Sequence, residues 1–149
     1  MGEKNLDGTL SSIRKEFFSL RNGMIADTLR KGGLEQKYIF GLQLPQIKGL
    51  AERFLPTTGE DSATLARALW SDRDCREARL LACHLMPASL TSKEEATEWA
   101  EDVTTREEAD ILAFRLIRHL PFADEIAGIC AASDDQLKKY TATAIQRFL

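Results

Sequence analysis

Leu and Ala recur at three- and four-residue spacings along nearly the whole chain, while Val, Ile, Thr and Tyr nowhere gather into alternating runs. That spacing brings apolar side chains onto one face of a helix, so the pattern predicts an all-α fold. Asn22-Gly23, Gly32-Gly33, Pro45, Pro56-Thr57-Thr58-Gly59, Pro87 and Pro121 cut the chain into segments of helical length. Helices are predicted at 9–20, 23–31, 45–55, 62–71, 74–86, 92–102, 106–119, 122–131 and 134–148. Pro45 falls in the first turn of the third, where its missing N–H costs nothing, and Thr91-Ser92-Lys93-Glu94 supplies a capping start to the sixth.

The apolar pattern also repeats at longer range. Residues 77–85 (EARLLACHL) align with 108–116 (EADILAFRL) at a step of 31, and a second step of 31 reaches 139–145 (KYTATAI). Ala82, Ala113 and Ala144 coincide, as do Leu80, Ile111 and Ala142, and Cys83, Phe114 and Ile145. Each copy is read as the second helix of a pair, preceded by a shorter helix. Helix pairs at a period in the low thirties predict an α-α superhelix, a solenoid in which each pair buries its apolar face on its neighbours. An irregular helical bundle is the alternative.

Composition narrows the picture. The 149 residues are 44% hydrophobic and 29% charged, with a formal net charge of −3, which suits one compact domain spanning 1–149 and excludes disordered or collagen-like classes. No run approaches the ~20 apolar residues of a membrane helix, and the opening MGEKNLDGTL lacks the apolar core of a signal peptide. A cytoplasmic location without membrane contact is expected. Cys75, Cys83 and Cys130 form no C-x-x-C pair and are expected to be buried free thiols. No cofactor, phosphate loop or metal set is expected: His84 and His119 have no second ligand at metal spacing, and no lysine-serine follows Gly32-Gly33 or Gly41. Trp70 and Trp99 are expected to be core anchors.

An acidic total argues against nucleic acid until the charges are placed. Residues 1–54 carry nine basic and six acidic side chains, whereas 93–110 carry eight acids against Lys93 and Arg106 alone. The acidity is therefore expected on the outer helix of one repeat. Arg76, Arg79, Arg115, Arg118, Lys138 and Lys139 remain as a basic series on the second helices. If four to six of these reach phosphates, log K would fall with log salt at a slope of about −4 to −5.

Three stretches carry a family resemblance: 37–54 (KYIFGLQLPQIKGLAERF), 68–82 (ALWSDRDCREARLLA) and 99–110 (WAEDVTTREEAD). In order and spacing the chain resembles the DNA alkylation repair enzyme family, the AlkD-like proteins built from HEAT-like repeats, across most of 20–149. The resemblance implies a concave basic face that holds duplex DNA and, in active members, hydrolyses the N-glycosidic bond of an alkylated purine. The family's aspartate then falls on Asp110, and its tryptophan's place is taken by Arg106. A carboxylate near the sugar stabilises the positive charge that develops as a cationic base leaves. Arg106 reverses the sign beside such a base, and at i, i+4 it is placed to pair with Asp110. The family's arginine on the following inner helix is matched by Lys138 and Lys139. Members commonly continue for several helices that carry a further aromatic; ending at Leu149, the chain is expected to lack that wall.

Two readings stay open. The first is a DNA alkylation repair-like protein that binds duplex DNA weakly through Arg76, Arg79, Arg106, Arg115, Arg118, Lys138 and Lys139, with Asp110 as the catalytic candidate. The second is a non-catalytic helical-repeat scaffold for a protein partner. An open surface around Asp110, or one closed by an Arg106–Asp110 pair, is what separates an available carboxylate from an engaged one.

Overall fold

A computed structural model of the chain describes residues 3–149. Among the described residues there are nine α-helices and no strand: α1 (Glu3–Ser19), α2 (Gly23–Lys31), α3 (Leu44–Arg53), α4 (Gly59–Ser71), α5 (Arg76–Leu85), α6 (Lys93–Glu101), α7 (Arg106–Arg115), α8 (Ala123–Ala131) and α9 (Gln136–Gln146). The all-α class predicted from the spacing is the class observed. The chain divides into two compact units, one ending at Leu85 and one beginning at Met86.

In the first unit α4 packs on α5, α3 on α5, and α1 on α4. Its core draws Ile13 and Phe17 from α1, Ile47 from α3, Leu65 and Leu69 from α4, and Leu80 and Leu81 from α5, all buried. Helix starts are written in short polar side chains. Asn22 accepts from the Met24 and Ile25 N–H groups, and Thr58 accepts from Asp61 N–H. Thr58 with Glu60 and Asp61 starts α4 at Gly59, three residues before the predicted start.

The connection between α2 and α3 is bound to the start of α5. Tyr38 N–H donates to the Asp74 carbonyl at 2.8 Å and Arg76 N–H donates to the Tyr38 carbonyl at 3.1 Å. The Glu77 carboxylate, fully buried, accepts from the N–H groups of Phe40, Gly41 and Leu42 at 3.0, 3.0 and 3.3 Å. Arg76 donates to the Leu42 carbonyl and to Glu77 Oε2.

In the second unit α8 packs on α9, α7 on α9, and α6 on α8. Contacts between helices two apart in sequence are how stacked helix pairs bury their faces. The repeat alignment holds at its small residues: Ala82, Ala113 and Ala144 are all buried within α5, α7 and α9. It departs at two apolar positions: Phe114 is 37% exposed where Cys83 and Ile145 are buried, and Ile111 is half-buried where Leu80 and Ala142 are buried. The preceding helix is not always the shorter, since α4 has 13 residues and α5 has 10. Helix α7 stops at Arg115 rather than 119 and passes into a 3-10 turn, Ile117–His119. Pro121 disfavours helical backbone at Leu120, so the helix does not resume after this turn.

Ser92 caps α6 by accepting from Glu95 N–H, as the sequence predicts. Trp70 and Trp99 are buried, and so are all three free cysteines. Burial, with the Glu101 carboxylate nearby, pushes the Cys130 thiol up to about 11. A thiol pKa raised by folding contributes stability that is complete below its unfolded value near 9 and lost as pH rises through the folded value. Urea melts between pH 9 and 11 should therefore lose roughly 2–3 kcal/mol through this group. Cys130→Ala should flatten that loss, and an unchanged pH slope in the variant would contradict the assignment.

Candidate functional site

The sequence-predicted residues separate into two environments. Arg76 and Arg79, expected at a phosphate-contacting surface, lie in the interior of the first unit instead. Arg79 is fully buried, donates to the Trp70 carbonyl at 2.6 Å and lies 3.5 Å from the centre of the Trp70 ring. Arg76 is 4% exposed and bound to Leu42 and Glu77. Burying a guanidinium is tolerable only when its donors are satisfied, and here backbone carbonyls and a carboxylate do that. The first unit also has an apolar cleft of about 400 Å³ between α1 and α4, floored by Ile13, Phe17 and Leu69, with the Arg14–Asp72 pair at 3.4 Å among its lining.

Asp110, Arg106, Arg115, Arg118, Lys138 and Lys139 all belong to the second unit. Helix α7 carries Arg106, Asp110 and Phe114 at successive four-residue steps, one above the other on a single face. Helix α9, packed on α7, brings Tyr140 and, just past its end, Arg147 to the same face. Tyr140 donates its hydroxyl to both Asp110 oxygens, at 2.8 and 3.0 Å, and Arg147 donates to Oδ1 at 3.3 Å. The Asp110 side chain remains 42% exposed.

The expected Arg106–Asp110 pair does not form. Arg106 lies over the Tyr140 ring, 4.8 Å from its centre, and Arg147 is 5.8 Å from the same centre. The carboxylate is therefore held from α9, and the ring beside Arg106 is that of Tyr140. Attraction of a cation to a ring face is worth about 0.5–1 kcal/mol at exposed sites, enough to orient the Arg106 side chain.

One turn further along α7, Phe114 and Phe148 meet at 5.7 Å between ring centres. Arg118 donates its Nε to the Phe114 carbonyl at 2.6 Å and crosses both rings, at 4.1 and 5.5 Å. Arg115 lies 5.2 Å from the Phe114 ring. Lys139 is exposed, while Lys138 pairs with Glu101 at 3.7 Å. Among the described residues, Arg106, Arg115 and Arg118 make no ion pair, and they sit at the Tyr140 and Phe114 rings, while Arg147 pairs with Asp110. The acidic excess of 93–110 lies largely elsewhere: Glu94, Glu98 and Glu101 are exposed on α6, and Glu108 is buried, holding Thr104 through its N–H and hydroxyl.

Sequence reasoning missed Arg147, Phe114 and Phe148 as surface partners and Glu77 and Glu108 as interior ones. The last two had a signal, since they share the repeat register. Among the described residues no group of three or more His, Cys, Asp or Glu is placed to hold a metal ion, and no helix is long and apolar enough to cross a membrane. No curated protein and no solved structure gives a match to the chain. A sequence model described as DNA alkylation repair enzyme matches residues 13–148.

Proposed function

The chain belongs to the DNA alkylation repair enzyme family, and from that premise we propose that it is one HEAT-like repeat domain, cytoplasmic, whose second unit binds duplex DNA and hydrolyses the N-glycosidic bond of alkylated purines. The observation that carries the reading is the half-exposed Asp110, held by Tyr140 and Arg147, with Arg106 on the same Tyr140 ring and Arg115 and Arg118 at Phe114 one turn further along α7. Guanidinium groups along the unit that carries this carboxylate suit a polyanion whose chemistry passes through a cationic sugar. Phosphates lying on the guanidinium groups bring a deoxyribose to Asp110. An alkylated purine already carries positive charge, so its bond to C1′ breaks with the electron pair leaving on the base and positive charge left on the sugar. Asp110 stabilises that charge electrostatically while water adds at C1′ and gives up its proton to solvent. Its oxygens already accept from Tyr140 and Arg147, so its contribution is placed charge and orientation rather than proton abstraction.

Binding should show the electrostatics directly. With four or five exposed cations reaching phosphates, log K for duplex DNA should fall with log salt at a slope of about −4. Arg118→Gln and Lys139→Gln should each reduce the slope by about 1, whereas Arg79→Gln should leave it unchanged because that guanidinium is interior. A slope near zero in the parent protein would overturn the reading. It would favour a helical-repeat scaffold instead, for which the exposed Glu94, Glu98 and Glu101 offer a face to a basic protein partner.

A further inference from the structure

We propose that Phe114 and Phe148, with the Arg118 guanidinium across both rings, form a stacking platform for an unpaired nucleobase, so that this surface prefers DNA with a nucleotide out of the helical stack over continuous duplex. The inference rests on the DNA-binding reading above and adds a substrate class to it.

Three observations carry it. Phe114 occupies the register in which the equivalent side chains of the other two repeat copies, Cys83 and Ile145, are buried, yet its own ring is 37% exposed beside a 39% exposed Phe148. The repeat therefore spends a core position on an outward-facing ring. The rings are tilted 57° and 5.7 Å apart, too close to admit a base between them, so a base is accepted on the open side of the pair or on the guanidinium plane. Both are stacking surfaces for unpaired bases. Arg118 is fixed for this by its 2.6 Å hydrogen bond to the Phe114 carbonyl.

Charge complementarity selects the occupant. A solely apolar partner would be poorly served by a patch flanked by Arg115 and Arg118, with Arg147 at Asp110 one turn back and Arg106 two turns back. A nucleotide satisfies both halves, with its base on the rings and its phosphates on the guanidinium groups. In a continuous duplex the bases are stacked on one another and cannot reach the rings. One turn of α7, about 6 Å, separates Phe114 from Asp110, so a displaced nucleotide and the deoxyribose at the carboxylate belong to the same short stretch of strand.

The test is fluorescence anisotropy at one fixed salt concentration with two labelled 20-mer duplexes, one continuous and one carrying a single unpaired thymine. The parent protein should bind the bulged duplex about 10-fold more tightly, within what one base stacked on an aromatic side chain contributes. Phe148→Ala should remove that preference and leave binding to continuous duplex unchanged, and Phe148→Trp should keep or widen it, a response that a purely structural ring would not give. Thermal melts of both variants establish that they are folded. Equal affinity of the parent for the two duplexes overturns the platform and leaves the proposed function standing; absence of binding to either removes both. Sedimentation showing a dimer that Phe148→Ala dissociates would assign the patch to a second copy of this chain and overturn the proposal.

Discussion

Glu77→Ala is expected to remove a large share of the stability of the first unit. The carboxylate accepts three successive backbone N–H groups from residues 40–42 and balances Arg76, all away from water. Truncation leaves those donors unpaired and a guanidinium buried without its counter-charge. Breaking a buried pair by removing one partner costs about 3–5 kcal/mol, against a total stability of about 5–15 kcal/mol for a domain. Urea denaturation followed by circular dichroism should show that loss. Replacing both charges, as Arg76→Met with Glu77→Leu, should not restore the parent value. The pair alone would be replaceable, but the three N–H groups would still lack an acceptor. A loss below about 1 kcal/mol for Glu77→Ala would contradict the account of residues 40–42.

Gly41→Ala is expected to be nearly as damaging through sterics alone. Gly41 has φ of +86°, and an added Cβ would lie 2.2 Å from the Asn22 carbonyl oxygen and 3.0 Å from Ala26 N. Both contacts are backbone atoms at the start of α2, where Asn22 also donates its N–H to the Phe40 carbonyl. Neither can move without lifting the cap of α2. The dihedral by itself costs a non-glycine residue about 1–3 kcal/mol, and the clash adds to that. Gly33→Ala separates the two contributions, because Gly33 also has positive φ, +112°, but nothing within 4 Å of the added atom. Thermal melts should place Gly41→Ala well below Gly33→Ala; the same shift in both would mean the approach to Asn22 contributes nothing.

These two residues show which parts of the fold could be read from the chain. Ala82, Ala113 and Ala144 were legible because small side chains at a fixed period mark where stacked helices come closest. Ser92 and Pro45 were legible because helix starts are written locally: the cap's donor and acceptor lie within three residues, and a first-turn proline lacks only an N–H that has no partner there. Glu77 was not read as interior, since an acid near a helix start has an ordinary exposed role, and only the distant segment 40–42 gives it another. Arg76 and Arg79 failed as surface residues for the same reason. Periodicity places them on a helix, but their burial depends on Leu42 and Trp70, which periodicity does not bring near.

The candidate site divides along that line too. Asp110 and Arg106 share α7, so their mutual spacing was plain, and the i, i+4 rule suggested a pair. The rule compares only neighbours on one helix. Tyr140 and Arg147, 30 and 37 residues away, compete for the same groups once α9 packs on α7, and they win both: the carboxylate takes the hydroxyl and the second guanidinium, and Arg106 takes the ring. The result is a carboxylate held in place and still open to solvent.

The most direct test of that carboxylate's role is release of 7-methylguanine from methylated duplex DNA by the parent protein and by Asp110→Asn, with duplex binding measured alongside. The account predicts release by the parent and a reduction of at least about 100-fold in the variant, on the scale of removing one group that stabilises transition-state charge, with duplex affinity retained. Equal release by the two proteins, or none by either while both bind DNA, would contradict it.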